Sequence, residues 1–308
     1  MTSPIIGSSH TETPLTTEEE SSCMAMCMAT WSVPSMVFKT VLELNVIHVI
    51  YAAGPKAQLS AEEIVAHLPT MNPNAAVALD RMLRLLASFT ILTCTQSVQS
   101  NGSLKTVYGL GPVCQFLAKN DDVISYAAFA DLMHDKVMME TWKHLKDIVL
   151  DGGNPFEKTY GMGVFDYLGT DSRFYKVFYE GMGHHSTIVM KKILDSYNGF
   201  DGVSTLVDVG GATGTDEQSL KLLENCYEAL PEEGKVIICD YLVPESPQTN
   251  YQARTAFVSD AIMLTLIPGA RARTKQEYEA LGKEAGFEDF RVICFAFDTW
   301  IMEYLKKN

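Results

Sequence analysis

Apolar positions at helical spacing dominate the first third of the chain. Residues 23–53 are rich in Met, Ala, Val and Leu, and Pro34 divides them into two predicted helices because its ring does not continue a helix. The second helix, 35–51, keeps Lys39 and Glu43 among apolar neighbours. An apolar surface of this size is expected to be buried, either in the chain's own core or against a second subunit.

The next segment predicts helices followed by a hairpin. A capping box at 60–63 opens a short helix, and residues 74–88 carry apolar side chains at helical spacing. Two β-type runs, 90–94 and 106–110, flank the turn signal Asn101-Gly102. Helices followed by a hairpin are typical of a winged helix, which either binds DNA or has a structural, dimerising role.

Residues 123–195 predict helices throughout, with one break at 151–155. Aromatic and Met side chains are dense here, and they either pack a core or line a pocket for a flat aromatic molecule. His184 and His185 are adjacent, so on a helix they point about 100° apart and cannot serve one site. We therefore expect both histidines to be surface or capping residues.

After residue 205 the pattern alternates between strands and helices. The predicted strands are 206–209, 235–240, 289–296 and 298–304, and the predicted helices are 216–230, 251–266 and 274–286. Alternation of this kind predicts an α/β domain. The two strands at the end of the chain are close enough to form a hairpin, so we expect a mainly parallel sheet with one reversed edge strand.

Composition and charge narrow the class of protein. A chain of 308 residues can hold two domains and a sizeable core. Its net charge of −14 argues against a nucleic-acid partner and against anionic membranes. No apolar stretch reaches the length of a membrane span. The first 22 residues are rich in Ser, Thr and Glu, which predicts a mobile tail rather than a signal peptide.

The seven cysteines are scattered and include no CxxC pair. This spacing predicts neither a disulfide framework nor a metal site, and it fits a reducing, cytoplasmic location. We accordingly expect three regions: a tail at 1–22, a helical domain at 23–122, and a second domain at 123–308 that holds the substrate helices and the α/β part.

The candidate cofactor site is the glycine-rich turn after the strand at 206–209. Such a turn presents backbone N–H groups to a nucleotide-like cofactor. The residues we expect to bind it are Asp208, Gly210, Gly211 and Gly214. The glycines alone are a weak signal, and a dinucleotide site with Asp240 as the ribose acid is an alternative. No second nucleotide-binding half follows, however, and no hydride-transfer site is recognisable.

Five segments together resemble the plant S-adenosylmethionine-dependent O-methyltransferases of the caffeic acid type. They are residues 79–86, 145–153, 206–214, 225–231 and 301–305. The resemblance implies a winged-helix-like dimerisation domain followed by a Rossmann-like methyltransferase domain. It further implies S-adenosylmethionine as cofactor, a dimer, and phenolic substrates such as phenylpropanoids, flavonoids or isoquinoline alkaloids.

One block of the family pattern is missing. In the family, the glycine turn is followed by an acid for the ribose, an Asp-Met or Asp-Phe pair near the adenine, a lysine, and a His-Asp pair whose histidine is the general base. In this chain the resemblance passes from Gly214 directly to the helix that begins at Asp216. The two acids that flank the histidine in the family fall at Asp240 and Ala272, so Asp240 is the only remaining acid of the catalytic set.

The resemblance also assigns a substrate pocket and a contact with the partner subunit. The implied pocket residues are Met133, His134, Met138, Val164, Leu168, Phe174, Phe178, Met182, Ile262, Met263 and Ile267. Ile267 stands where the caffeic acid type has a polar amide, and Met133 and His134 also differ. We therefore expect a ligand other than caffeic acid, and a bulkier one. Thr30 matches a position that reaches the partner's active site.

Three functional hypotheses follow. The first is a subunit that is inactive alone and works as the heterodimer partner of an intact homologue, because loss of a positioned base costs about 10² to 10⁴ in rate and loss of the cofactor contacts removes the proximity advantage. The second is a self-sufficient homodimeric O-methyltransferase with Asp240 as surrogate acid or base. The third is a non-functional product of gene decay or mis-splicing.

Overall fold

The computed structural model describes residues 14–99, 102–118, 124–210 and 215–306. The chain divides after Ala130 into two compact units, which are described one at a time. The first 13 residues of the predicted tail, Asn101 of the hairpin turn, and the predicted boundary at 122/123 lie outside the described residues.

In the part of the chain that the structure describes, the first unit contains five helices before the division and a two-stranded hairpin. The elements are α1 Thr17–Ala29, α2 Ser32–Glu43, α3 Val46–Ala52, α4 Ala61–Val65, α5 Ala75–Ser88, β1 Leu92–Val98 and β2 Leu104–Leu110, followed by a short 3₁₀ turn at Pro112–Phe116. The hairpin pairs in register from Leu92↔Leu110 to Val98↔Leu104. The predicted succession of helices and a hairpin is therefore confirmed.

The N-terminal helices begin and end at other residues than predicted. Helix α1 opens with a capping box between Thr16 and Glu19, so the prediction of a mobile tail is wrong for residues 17–22. The chain breaks at Thr30 and Trp31 and not at Pro34. Pro34 instead lies in the first turn of α2, where backbone N–H groups have no acceptor within the helix and a proline is tolerated.

The core of the first unit lies between α2–α5 and the hairpin. Val46, Ile50, Ile64, Leu83 and Leu86 are fully buried or nearly so. The hydroxyl of buried Tyr108 donates to Asp80 Oδ1 at 2.6 Å, and this ties β2 to α5. Burial raises the pKa of Tyr108, so the hydroxyl stays protonated and keeps donating.

Helix α1 carries no buried residue, and its side chains Met24, Met26 and Met28 are exposed. No single helix in the described ranges is long and apolar enough to cross a membrane, although α1 and α2 would pass that test together, with a bend of 53° between them.

The second unit begins with short helices and one long helix. Helix α6, Tyr126–Met133, runs across the division between the units; α7 Lys136–Thr141, α8 Leu145–Asp151, α9 Pro155–Tyr160, α10 Val164–Leu168 and α11 Ser172–Ser196 follow it, with a 3₁₀ turn at Trp142–His144. The predicted break falls after α8, where Gly152 and Gly153 have φ of 75° and 87°. Glycine adopts such values without strain.

The α/β part contains α12 Asp216–Ala229, β3 Lys235–Asp240, α13 Tyr251–Leu266, α14 Lys275–Glu284, β4 Asp289–Ala296 and β5 Thr299–Leu305. The strand order is β3-β5-β4, and β5 is antiparallel to both neighbours. The prediction of a mainly parallel sheet with a reversed edge strand is therefore wrong. β3 and β4 do run in the same direction, but the returning arm of the hairpin lies between them.

The predicted strand at 206–209 is not a strand. Leu206 and Val207 are 68% and 72% exposed, and the segment has no ladder partner among the described residues. Asp208 Oδ1 accepts the backbone N–H of Gly210 at 3.0 Å, which closes a local turn. An apolar β-type sequence forms a strand only when a neighbouring strand takes up its backbone hydrogen bonds, and the described chain supplies no such neighbour.

Ion pairs join α12 to the segment before α14. Asp216 Oδ1 accepts from Arg273 at 2.8 and 3.0 Å, and Asp216 Oδ2 accepts from Arg271 at 3.1 Å. Arg273 is 3% exposed. Burial acts to raise the pKa of Asp216, but the hydrogen bonds from Arg271 and Arg273 outweigh it and hold that pKa below its usual value.

Asp216→Ala is expected to destabilise the second unit by about 1–2 kcal/mol. Removing one partner of a buried charge is costly, and this cost is reduced because the Asp216 side chain is half-exposed. Urea unfolding measures it, with Glu217→Ala in the same helical turn as control.

The same ion pair gives a pH dependence. A carboxyl whose pKa is lowered in the folded state contributes stability above its unfolded pKa, and that stability disappears as the pH falls through the folded value. The difference in unfolding free energy between the wild type and Asp216→Ala should therefore shrink below about pH 4. A difference that stays constant down to pH 2 would contradict the ion-pair account.

Candidate functional site

The predicted pocket residues lie on α6, α7, α10, α11 and α13 and on the short segments after α6 and α13. Met138, Val164, Leu168 and Phe174 are buried. Met182 is exposed, and the remainder are partly buried: Met133, His134, Phe178, Ile262, Met263 and Ile267. The buried members pack like core residues, so the partly exposed members are the ones that a ligand could reach.

Helix caps and aromatic contacts hold this region in place. Asp135 caps α7 by accepting the Val137 N–H at 2.9 Å, and Arg173 on α11 donates to the same carboxylate at 3.0 Å. A chain of ring contacts runs from Tyr160 through Tyr167 and Phe174 to Phe178, with centroids 4.5, 5.9 and 6.1 Å apart. Aromatic contacts of this geometry stabilise beyond the area they bury.

Only part of the predicted cofactor turn is described. Asp208 and Gly210 lie in the exposed segment after α11, and Gly211 and Gly214 lie outside the described residues. The Asp208 carboxylate bonds its own loop. Because no strand pairs with this segment, the described residues do not form the sheet edge on which such a turn holds a nucleotide. The described residues therefore lack the supported turn that would hold S-adenosylmethionine firmly.

Asp240 ends β3 and uses both carboxylate oxygens. Oδ2 accepts the Tyr278 hydroxyl at 2.8 Å, and Oδ1 accepts the Tyr241 N–H at 2.7 Å. Burial raises the pKa of Asp240, and the two hydrogen bonds and Arg273 act against that rise. A carboxyl with a raised pKa is suited to hold or release a proton, although here both oxygens already have partners.

The loop after β3 brings Asp240 close in space to Ala272, the position of the lost second acid. Leu242 forms a parallel bridge with Arg273, and Val243 N–H donates to Arg273 O at 3.0 Å. Ala272 precedes Arg273 and has no carboxylate, and its own N–H donates to Asp260 Oδ1 at 2.7 Å. The two positions are therefore neighbours in space, but only Asp240 carries an acid.

A His–Asp pair that the sequence did not predict lies beside this loop. His185 Nε2 is 2.7 Å from Asp298 Oδ2, and the Tyr241 hydroxyl is 3.5 Å from that nitrogen and 3.4 Å from that oxygen. The side chains of His185 and Asp298 are 14% and 17% exposed. The prediction that His185 is a surface or capping residue is wrong, because the last strands fold back and place a carboxylate beside it.

Two sequence signals could have indicated this pair. His185 follows Phe178 and Met182 at helical spacing, so it lies on the same face of α11 as two predicted pocket residues. Asp298 stands in the two-residue link between β4 and β5, which is a natural place for a polar side chain that returns over the sheet. Neither signal identifies the partner without the fold.

A separate cavity of about 250 Å³ lies among α8, α9 and the glycines between them. His144 Nδ1 and Lys158 Nζ both contact Asp147 Oδ2 there, at 2.8 and 2.9 Å. Asn154 also lines the cavity, and its Oδ1 caps α9 while its Nδ2 has no partner. None of the predicted pocket residues lines this cavity, so it is distinct from the predicted substrate site.

Each of the two units contains the match to one family model. A family model described as the O-methyltransferase dimerisation domain matches residues 26–120, and one described as the O-methyltransferase domain matches 142–219 and 214–288. This chain belongs to the O-methyltransferase family, whose cofactor is S-adenosylmethionine, and the predicted fold class is confirmed.

Similar proteins agree with this assignment. O-methyltransferase 1 of Lophophora williamsii is 47% identical over 350 residues, covering 94% of this chain and 96% of the relative. Caffeic acid 3-O-methyltransferase of Medicago sativa is 44% identical with the same coverage. Human N-acetylserotonin methyltransferase, solved with S-adenosylmethionine, superposes with a TM-score of 0.73 at 15% identity, covering 96% of this chain and 100% of that structure. The methyltransferase CalO1, with S-adenosylhomocysteine bound, also gives 0.73, at 17% identity and with 95% and 99% coverage.

The alignments place the missing block. Because 94% of 308 residues is about 290, about 60 of the 350 positions aligned with the Lophophora protein have no counterpart here. The two matches to the methyltransferase model meet at residues 214–219. The block is therefore absent directly after the glycine turn, where the sequence pattern indicated the gap.

The buried Asp240 predicts a further pH dependence. A carboxyl whose pKa is raised in the folded state favours folding at low pH, and this contribution is lost as the pH rises from the unfolded value through the folded one. The stability of the wild type should therefore fall relative to Asp240→Asn between pH 4 and neutral pH. Urea unfolding at several pH values checks this, and Tyr278→Phe should steepen the fall. Parallel curves for the wild type and Asp240→Asn would show that Asp240 stays ionised.

Proposed function

We propose that this chain is a subunit of an O-methyltransferase of phenolic secondary metabolites and is inactive alone. In this proposal it works as the heterodimer partner of an intact homologue. The observation that carries the proposal is the missing block after the glycine turn, where the segment that precedes the gap is exposed and unpaired. A methyl transfer needs a donor held in line with its acceptor, and nothing in the described residues performs that task.

The preserved dimerisation half supports the role of partner. Helix α1 exposes Met24, Met26 and Met28, and α2 exposes Trp31 at its start and Met36. Flexible Met side chains adapt to related surfaces, so this exposed apolar surface could accept a second copy or a homologue. Thr30 lies in the link between α1 and α2, where its hydroxyl donates to Met26 O at 2.8 Å. In the proposal this link reaches the partner's active site.

The substrate class comes from the relatives and the pocket residues. The similar proteins include caffeic acid 3-O-methyltransferases, whose named substrate is a phenol. Ile267 is partly buried after α13 and offers no hydrogen bond to a polar ring substituent. We therefore infer a phenylpropanoid or alkaloid phenol that is bulkier than caffeic acid.

Calorimetry with S-adenosylmethionine is expected to show no binding to the purified chain tighter than about 1 mM, which corresponds to about −4 kcal/mol. The physical reason is the unsupported turn. An intact homologue measured in parallel controls for the quality of the cofactor. Micromolar binding by this chain alone would favour the second candidate, a self-sufficient homodimer.

Co-expression with an intact homologue is expected to give a mixed dimer whose substrate range or rate differs from that of the homologue alone. A partner-supplied segment alters the closure of a pocket and with it the discrimination between substrates. Met28→Lys on the exposed face of α1 should abolish the effect and leave the fold of the chain unchanged. Identical kinetics with and without the wild-type chain would remove the proposal. A chain without a cooperative thermal transition would favour the decay product instead.

A further inference from the structure

We propose that helix α1 carries a binding site for a soft monovalent metal ion, Cu(I), formed by the thiolates of Cys23 and Cys27 and the thioether of Met26. The site belongs to the isolated chain and needs neither the cofactor nor a second subunit. It therefore goes beyond the proposed function, and its test does not depend on methyl transfer.

Sulfur is concentrated in one short stretch of α1. Five of the six residues 23–28 are Cys or Met, whereas the whole chain of 308 residues has 7 Cys and 15 Met. Packing within the unit does not account for this density, because α1 carries no buried residue. Met24, Met26 and Met28 are 68%, 65% and 59% exposed, and Cys23 and Cys27 are free and exposed. These side chains are therefore accessible to a metal ion.

The helix places three of these residues on one face. Cys23, Met26 and Cys27 stand at positions i, i+3 and i+4 of α1, which continues from Thr17 to Ala29. Side chains at this spacing are neighbours, with Cβ atoms about 5–6 Å apart. Because all three are exposed, rotation about their side-chain bonds can bring the three sulfur atoms to one ion. Met24 and Met28 lie on the adjoining side of the helix, since each residue turns by about 100°.

The ligand set selects the metal. Two thiolates and a thioether are soft ligands, which favour Cu(I) over harder ions. Among the described residues, no group of three His, Cys, Asp or Glu side chains could hold a metal ion, so α1 lacks the closed Cys and His set of a structural zinc site. The spacing of the cysteines alone therefore predicts no metal site. The helical conformation adds the thioether of Met26, which serves as a ligand for a soft ion only.

The charges on α1 favour a cation. Glu18, Glu19 and Glu20 lie in its first turn, and the helix contains no Lys or Arg, so no basic side chain of α1 competes with the metal for the thiolates. On binding, each thiol gives its proton to the solvent, and two S–H bonds are replaced by two Cu–S bonds. The third bond uses a lone pair of Met26 Sδ. No electron is transferred, and copper stays Cu(I).

The test is a competition for Cu(I) between the full chain and bicinchoninate, whose Cu(I) complex is coloured, with ascorbate as reductant under nitrogen. The wild type is expected to withdraw one Cu(I) per chain, and X-ray absorption should show only sulfur as nearest ligands. Cys23→Ser and Cys27→Ser should each weaken binding by about 100-fold, and Met26→Leu by about tenfold, because few ligands share the binding energy. A wild type that takes no copper from the dye, or nitrogen or oxygen ligands on the bound ion, would overturn the proposal.

A variant with the same number of thiols on different faces is the matched control. Ala25→Cys combined with Cys27→Ser keeps two thiols in α1 but places them about 200° apart, so it should bind Cu(I) as weakly as the single-thiol variants. Cys94→Ser removes an exposed thiol from β1 and should bind like the wild type. Thermal melting checks the fold, which these changes should preserve because α1 has no buried residue. Wild-type affinity in the double variant would show adventitious binding to any two thiols and would refute the site.

Discussion

Strand β5 holds the second unit together because it alone among the described strands of that unit is paired along both edges. Its side chains Ile301, Met302 and Tyr304 are fully buried. The Tyr304 hydroxyl donates to the backbone of Tyr278 on α14, and Glu303 accepts from Lys235 on β3 at 2.6 Å and from Tyr197 after α11. One strand therefore connects both neighbouring strands and two helices. This sheet can persist without the missing block, because none of its ladders depends on a strand from that block.

The pairing of strands in this sheet also explains which part of the chain the missing block affects. The segment that carries the glycine turn has a strong β-type sequence, yet it stays exposed because the strand beside it is not there. Helix α12, which follows the gap, is in contrast packed against its neighbours. Leu223 packs in a cluster with Ala285, Phe287 and Tyr304, and Asp216 is bound by Arg271 and Arg273. The chain directly after the gap is thus anchored to the sheet, and the described segment 206–210 directly before it is not.

The functional consequences follow from this division. Most of the predicted pocket residues lie on helices α6, α7, α10 and α11, which precede the gap, and the others lie on or just after α13, which follows it. Caps and aromatic contacts hold the helices before the gap in place. They survive together with Asp240 and the His185–Asp298 pair, which depend on the β3-β5-β4 sheet. The missing block removes the structural support for the methyl donor. The molecule therefore combines a matched dimerisation domain with a methyltransferase domain that lacks the block after the glycine turn.

The sequence by itself determined the elements with strong local signals. The capping box at Ser60, the bounds of β3, α13 and β4, the fold class and the position of the gap all followed from periodicity, caps or family resemblance. Tertiary structure decided the rest. Whether 206–209 is a strand depends on a neighbour, and the strand order depends on the insertion of β5 between β3 and β4. The contact of His185 with Asp298 joins residues 113 positions apart. Pairings of this kind are set by the packing of distant segments, and hydrophobic periodicity carries no information about them.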